Sequence, residues 1–171
     1  MITELILDVD GVLLDYDSSF ERMVTERFGI DFDGSCIDFC ESKYFSELGS
    51  HLQSDVYIKK LHKLGMKLRI ITACGDTDKI KKMRLINLYN VFGDVFESID
   101  FVGMGESKQD YLEKFAGRDD VAYIEDTIER FLLAKSMGIK SYLMRSFSTR
   151  EMTGGIFDDW KQLFHFLTKS I

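Results

Sequence analysis

Five short runs of branched and aromatic residues, Glu4–Val9, Lys67–Thr72, Ser98–Val102, Val121–Glu125 and Lys140–Met144, are each bounded by turn-forming residues. Apolar runs of this length without clean alternation read as strands buried on both faces. Between the later four lie stretches of helical period that end where a glycine can take the left-handed cap position: Asp78–Tyr89 before Gly93, Gln109–Phe115 before Gly117, and Thr127–Met137 before Gly138. Strand and helix in alternation leave few folds open. The pattern predicts a three-layer, Rossmann-like α/β domain, a mostly parallel sheet with helices on both faces. A last helix, about Asp158–Thr168, sets Trp160, Leu163, Phe164 and Leu167 on one stripe, which makes Trp160 a core anchor rather than a ligand contact.

The first two strands are separated differently. The segment between them carries three helical patterns, each opening with a serine and, three residues on, a side chain able to close a capping box: Ser18 with Glu21, Ser35 with Asp38, and Ser50 with Gln53. Helices are expected over Ser19–Phe28, Cys36–Glu47 and His51–Leu64, closing at Gly29, Gly49 and Gly65. The third is the crossover helix. The first two exceed what a crossover needs and read as a small α-helical cap inserted over the C-terminal edge of the first strand. At 171 residues one core is expected. The chain then divides into a core of residues 1–14 and 66–171 and an insertion of residues 15–65 that includes the crossover helix.

Charge and composition remove several function classes. Lys and Arg number 22 against 29 Asp and Glu, a net charge of −7, which disfavours a general nucleic-acid binder. No apolar run approaches the roughly 18 residues of a membrane-spanning helix. No charged leader precedes an apolar stretch before Asp10, and the three cysteines, Cys36, Cys40 and Cys74, are too irregular for a disulfide framework, so a reducing, cytoplasmic setting is expected. Cys36 and Cys40 lie at i and i+4 on a helix with no histidine to complete a metal site, and core packing accounts for them. His51, His62 and His165 share no motif, and the cluster of Lys79, Lys81, Lys82 and Arg84 reads as a solvated helix face.

In an open parallel sheet, ligands bind beyond the carboxyl ends of the strands. There the first strand ends in Asp8-Val9-Asp10-Gly11, the second in Thr72-Ala73-Cys74-Gly75, and the fourth in Glu125-Asp126-Thr127, while Ser107-Lys108 follows the third. Four carboxylates on one edge repel one another unless a cation shares the site. Oxygen donors with room left for water and a phosphate suit Mg²⁺ better than Ca²⁺. With Lys108 protonated, Mg²⁺ sets three positive charges against four negative, and a phosphate dianion arriving there needs an acid, for which Asp10 is placed.

Asp8-Val9-Asp10-Gly11-Val12-Leu13 resembles the first signature of the haloacid dehalogenase superfamily of phosphohydrolases. Ile70-Ile71-Thr72, Lys108, and Tyr123-Ile124-Glu125-Asp126-Thr127 are similar to its second, third and fourth signatures, in the right order. The resemblance implies a sheet in the order five, four, one, two, three. It implies Asp8 as the nucleophile that forms an aspartyl-phosphate, and Asp10 as the acid that protonates the leaving alcohol and then activates water. Thr72 and nearby backbone N–H groups such as that of Ala73 would hold the transferring oxygens, and Lys108 would neutralise them. Mg²⁺ would be held by Asp8, the Asp10 carbonyl, Asp126 and Glu125. An acid at position 10 points to phosphoryl transfer, since the dehalogenases of the superfamily lack it. Two departures stand out: Gln109 where a proline often follows the lysine, with Lys114 as the nearest rival to Lys108, and Arg130 where many members carry a carboxylate.

The resulting expectation is a Mg²⁺-dependent phosphomonoester hydrolase acting on a small phosphorylated metabolite. A phosphomutase on the same scaffold and a non-catalytic phosphate-binding or regulatory relative are the alternatives. No nucleic-acid or membrane partner is expected. Between Asp15 and Gly49 the cap holds nine acidic residues, including Asp17, Asp31, Asp33 and Asp38, and three basic ones, a charge of −6 that should disfavour polyanionic substrates. Phe32, Phe39, Tyr44 and Phe45 are expected mainly to pack this lid on the sheet.

Overall fold

The computed structural model describes residues 1–27 and 39–169. Six strands form one parallel sheet: β1 (Glu4–Leu7), β2 (Lys67–Thr72), β3 (Ser98–Phe101), β4 (Val121–Glu125), β5 (Lys140–Met144) and β6 (Ile156–Phe157). Their spatial order is β3-β2-β1-β4-β5-β6, which is the expected order with a two-residue strand added at the β5 edge. β1 lies between β2 and β4, pairing Leu7 with Ile70 on one side and Ile124 on the other.

Alternation along the strands supplies both layers of core. Leu5 and Leu7 on β1, with Ala122 and Ile124 on β4, enter the larger apolar cluster, whereas Ile6, Val121 and Tyr123 enter the smaller one on the other face. The larger is covered by α1 (Tyr16–Arg27), α2 (Ser54–Lys63), α3 (Asp78–Phe92) and, late in the chain, α6 (Trp160–Thr168). The smaller is closed by α4 (Gln109–Leu112) with its 3₁₀ extension Glu113–Phe115, and by α5 (Ile128–Ser136). None of the described helices is long and apolar enough to cross a membrane.

The insertion departs from the expected helix boundaries for local reasons. α1 begins at Tyr16, not Ser19, because Asp15 takes the cap, its Oδ1 accepting from Ser18 N at 3.2 Å. The expected helix Cys36–Glu47 does not run through: residues 39 and 40 are helical, but Ser42 Oγ donates to the Phe39 carbonyl at 2.7 Å, and a 3₁₀ turn, Lys43–Ser46, follows. The Ser35 with Asp38 box lies outside the described residues. α2 starts after Leu52 and Gln53, both left-handed at φ 49° and 63°, so the Ser50 box does not form. Phe39 meets Tyr16, Phe20 and Phe45 edge-on at ring distances of 4.9, 5.4 and 6.0 Å, and Tyr44 is buried too, so these aromatics pack the insertion on the core as expected. Phe32 lies outside the described residues.

Trp160 is fully buried, and its indole Nε1 donates to the Val12 carbonyl at 2.8 Å, tying α6 to the loop that follows β1. Trp160→Phe keeps most of the ring and removes the donor, leaving a buried carbonyl without that partner. The expected loss of stability is about 1–3 kcal/mol, read from urea unfolding. A loss below about 0.5 kcal/mol, the size of an ordinary surface change, would mean that the anchor is unimportant.

Candidate active site

Parallel pairing carries Asp8 beyond β1 to the level of Glu125, with Asp8 N donating to the Ile124 carbonyl at 3.0 Å. The chain then turns sharply, and the Val9 carbonyl accepts from the backbone N–H groups of Val12, Leu13 and Leu14. Gly11 makes the turn possible: its φ is +76°, and a Cβ there would stand 2.3 Å from an Asp126 carboxylate oxygen. This close approach draws the Asp8 and Asp126 loops together.

Lys108 sits at the centre, its side chain without solvent exposure. It donates to Asp8 Oδ1 at 2.6 Å, to the Tyr123 hydroxyl at 3.0 Å and to Glu125 Oε2 at 3.0 Å. The Tyr123 hydroxyl in turn donates a hydrogen bond to Glu125 Oε2. The other Glu125 oxygen accepts from the backbone N–H groups of Asp126 and Thr127 at 3.0 and 3.1 Å. Lys114 lies elsewhere, exposed and paired with Asp100, so it is Lys108 that the fold brings to Asp8.

Asp10 is held by a cation that the sequence reading set aside. Arg84, read as part of a solvated face, is fully buried, and its Nη2 donates to both Asp10 oxygens at 2.6 and 2.8 Å. Its guanidinium lies 3.9 Å over the Phe45 ring, so the insertion covers it. Spacing contained the signal: Ile80, Arg84, Asn87 and Leu88 occupy one buried stripe of α3, whereas Lys79 and Lys82 are exposed.

Thr72 ends β2, fully buried, and its hydroxyl has no hydrogen-bond partner among the described residues. The next residue, Ala73, lines a cleft of about 200 Å³ together with Asp8, Asp10, Asp126 and Arg130. Cys74 and Cys40 line it too and are buried thiols, while Cys36 lies outside the described residues. His51 is engaged with the Arg145 carbonyl at 2.7 Å and His165 with the Lys161 carbonyl.

Carboxylate oxygens of Asp8, Glu125 and Asp126 lie within 4.8 Å of one another. An all-oxygen, buried donor set of this kind fits Mg²⁺. Both Glu125 oxygens already accept two hydrogen bonds each, whereas Asp8 accepts one from Lys108 and Asp126 one from Thr127, so the two aspartates are freer to hold a cation. Without a cation, burial, then Asp8 and Glu125, push Asp126 up to about 8. Burial, then Glu125, push Asp8 to about 6 against the pull of Lys108. Burial would raise Glu125 as well, but Lys108 and its hydrogen-bond donors hold it well below the usual carboxylate range.

No protein-family model matches the sequence, and no curated protein is significantly similar to it. Among solved structures, the chain is similar to a haloacid dehalogenase-like family hydrolase from Streptococcus pneumoniae (TM-score 0.68, 16% identity, covering 98% of this chain and 99% of that one). It is similar to D,D-heptose 1,7-bisphosphate phosphatase from B. bronchiseptica, solved with magnesium and phosphate (0.68, 16%, 99% and 100%). A dehalogenase solved with an intermediate also matches (0.67, 10%, 96% of each chain). The fold is therefore that of the haloacid dehalogenase-like hydrolases. Because a phosphatase and a dehalogenase share it, the side chains decide the chemistry.

Two predictions follow from the charges. Asp10→Ala strands the fully buried Arg84, so it should cost about 3–5 kcal/mol in denaturant unfolding. Arg84→Met leaves Asp10, whose side chain is 26% exposed, within reach of water and should cost clearly less. Equal losses would refute the pairing. The second concerns pH. A cation binds only after the raised carboxyls lose their protons, so Mg²⁺ affinity should climb as pH rises through about 6 and about 8, with protons released to buffer in calorimetry. In the cation-free protein the same raised values favour the folded state below the ordinary carboxylate value of 3.8, an advantage lost progressively over the range from there to about 8. Affinity flat across it would exclude the cluster as the cation site.

Proposed function

We propose that the chain is a Mg²⁺-dependent phosphomonoester hydrolase of the haloacid dehalogenase superfamily, acting on a small phosphorylated metabolite through an aspartyl-phosphate on Asp8. The observation that carries this reading is that Asp8 and Asp10 line the same cleft. A nucleophile alone would serve a dehalogenase, whereas a second carboxyl two residues on serves a leaving group that needs a proton. The buried, unpartnered Thr72 hydroxyl and the Ala73 backbone beside it support a phosphate at this place. The cleft volume favours a small substrate.

In this mechanism an Asp8 oxygen attacks phosphorus while the bond to the leaving oxygen breaks. Asp10, swinging off Arg84, gives that oxygen its proton, then takes one from the water that attacks the aspartyl-phosphate. Phosphate leaves and Asp8 is restored. Lys108 keeps Asp8 aimed and balances the incoming charge, and Thr72 donates to a phosphoryl oxygen. A bound Mg²⁺, held by Asp8, Asp126 and the Asp10 carbonyl with Glu125 behind them, would neutralise the carboxylates and the phosphoryl oxygens. The part of the insertion that precedes the crossover helix serves as the cap: Tyr16, Asp17 and Cys40 line the cleft from that side.

Asp8→Asn replaces the nucleophile by a near-isosteric amide. Turnover of p-nitrophenyl phosphate and of small sugar phosphates in Mg²⁺ should fall at least about a thousandfold, with the thermal unfolding curve preserved. Turnover near that of the unaltered protein would overturn the assignment.

A further inference from the structure

Three cations stand at the site, and two of them are already engaged. Lys108 serves three acceptors and Arg84 serves both oxygens of Asp10. The third, Arg130, is the third residue of α5, and its side chain makes no hydrogen bond or ion pair with any described residue. Of the described residues lining the cleft it is the one cation, facing Asp8, Asp10, Asp17 and Asp126. It also borders an adjoining cavity of about 620 Å³, which Ser107 and Lys108 line from the other loop. Arg130 thus stands where the cleft meets the lysine loop.

Strand order sharpens the placement. β2 flanks β1 on one side and delivers Thr72 and Ala73, while β4 flanks it on the other and leads into Arg130, so a group carried on Asp8 lies between the two. Burial works against the Arg130 charge, but Asp8 first and Glu125 next outweigh it, which sets the guanidinium in the field of the nucleophile. Five forked donors with no protein acceptor, partly withdrawn from water, match the oxygens of a tetrahedral anion.

Building on the phosphatase reading above, we propose that Arg130 binds the oxygens of the phosphoryl group transferred to Asp8. The free fork supplies the oxyanion contact that Lys108, tied to three acceptors, cannot supply alone. Arg130 is then a catalytic residue in its own right.

The test compares the unaltered protein with Arg130→Gln and Arg130→Lys. Inorganic phosphate binding is followed by calorimetry in saturating Mg²⁺, beside hydrolysis of p-nitrophenyl phosphate and of 2-phosphoglycolate, which adds a second anionic group. Arg130→Gln should weaken phosphate binding about tenfold or more and slow both esters alike, with the thermal midpoint unchanged. Arg130→Lys should recover part of each. Unchanged phosphate binding with tighter Mg²⁺ binding would show a mere countercharge to the carboxylates and overturn the proposal. A loss confined to 2-phosphoglycolate would overturn it in favour of a reader of the second anion. Unaltered protein that neither binds phosphate nor hydrolyses either ester would refute the phosphatase reading itself, a result distinct from unaltered protein and Arg130→Gln binding phosphate equally.

Discussion

Lys108 cannot reach water, and a buried ammonium is tolerated only where acceptors surround it. Its acceptors come from Asp8 after β1 and from Tyr123 and Glu125 on β4, so a charge in the interior joins three separate stretches of chain. Tyr123 takes part on both sides, accepting from the lysine and donating to Glu125. It does so as a neutral phenol, since burial and the neighbouring carboxylates raise it well above its ordinary value. The arrangement that makes the lysine tolerable is also the one that fixes the direction of Asp8. Structural and chemical demands on these residues are therefore inseparable.

Arg84 plays the corresponding part on the other side of the cleft, and it extends the network to the insertion. From α3 the guanidinium reaches Asp10 while Phe45 lies against it, Asn87 donates to the Leu48 carbonyl at 2.8 Å, and Lys79 meets Glu41 at 3.2 Å. One helix thus receives the insertion along its length and presents a cation to Asp10. A shift of the insertion over Phe45 bears directly on the cation that holds Asp10, the side chain proposed above as the acid.

The sheet was legible because its strands are buried on both faces and therefore announce themselves as apolar runs. β2, β4 and β5 have the bounds read from the sequence, and the glycine caps at Gly93 and Gly138 take positive φ. The gathering of the candidate residues at the strand ends was legible for the same reason: position in the sheet brings them together. Boundaries in the insertion were not, because Asp15, Ser42 and the left-handed Leu52-Gln53 pair act through local hydrogen bonds and backbone states that compete with simple periodicity. Arg84 was missed because three lysines near it, Lys79 and Lys82 exposed and Lys81 partly so, made its charge look like theirs, although its position on the helix is that of the buried stripe.

The bond from Trp160 to the Val12 carbonyl spans 148 positions of sequence. The loop it steadies follows directly on Asp10, so the surroundings of Asp8 and Asp10 are complete only once α6 has docked. A chain emerging from the ribosome would have Asp8 and Asp10 made while the residue that braces their loop is still about 148 positions behind. The loop is braced as seen here only once the segment around residue 160 has folded back onto it.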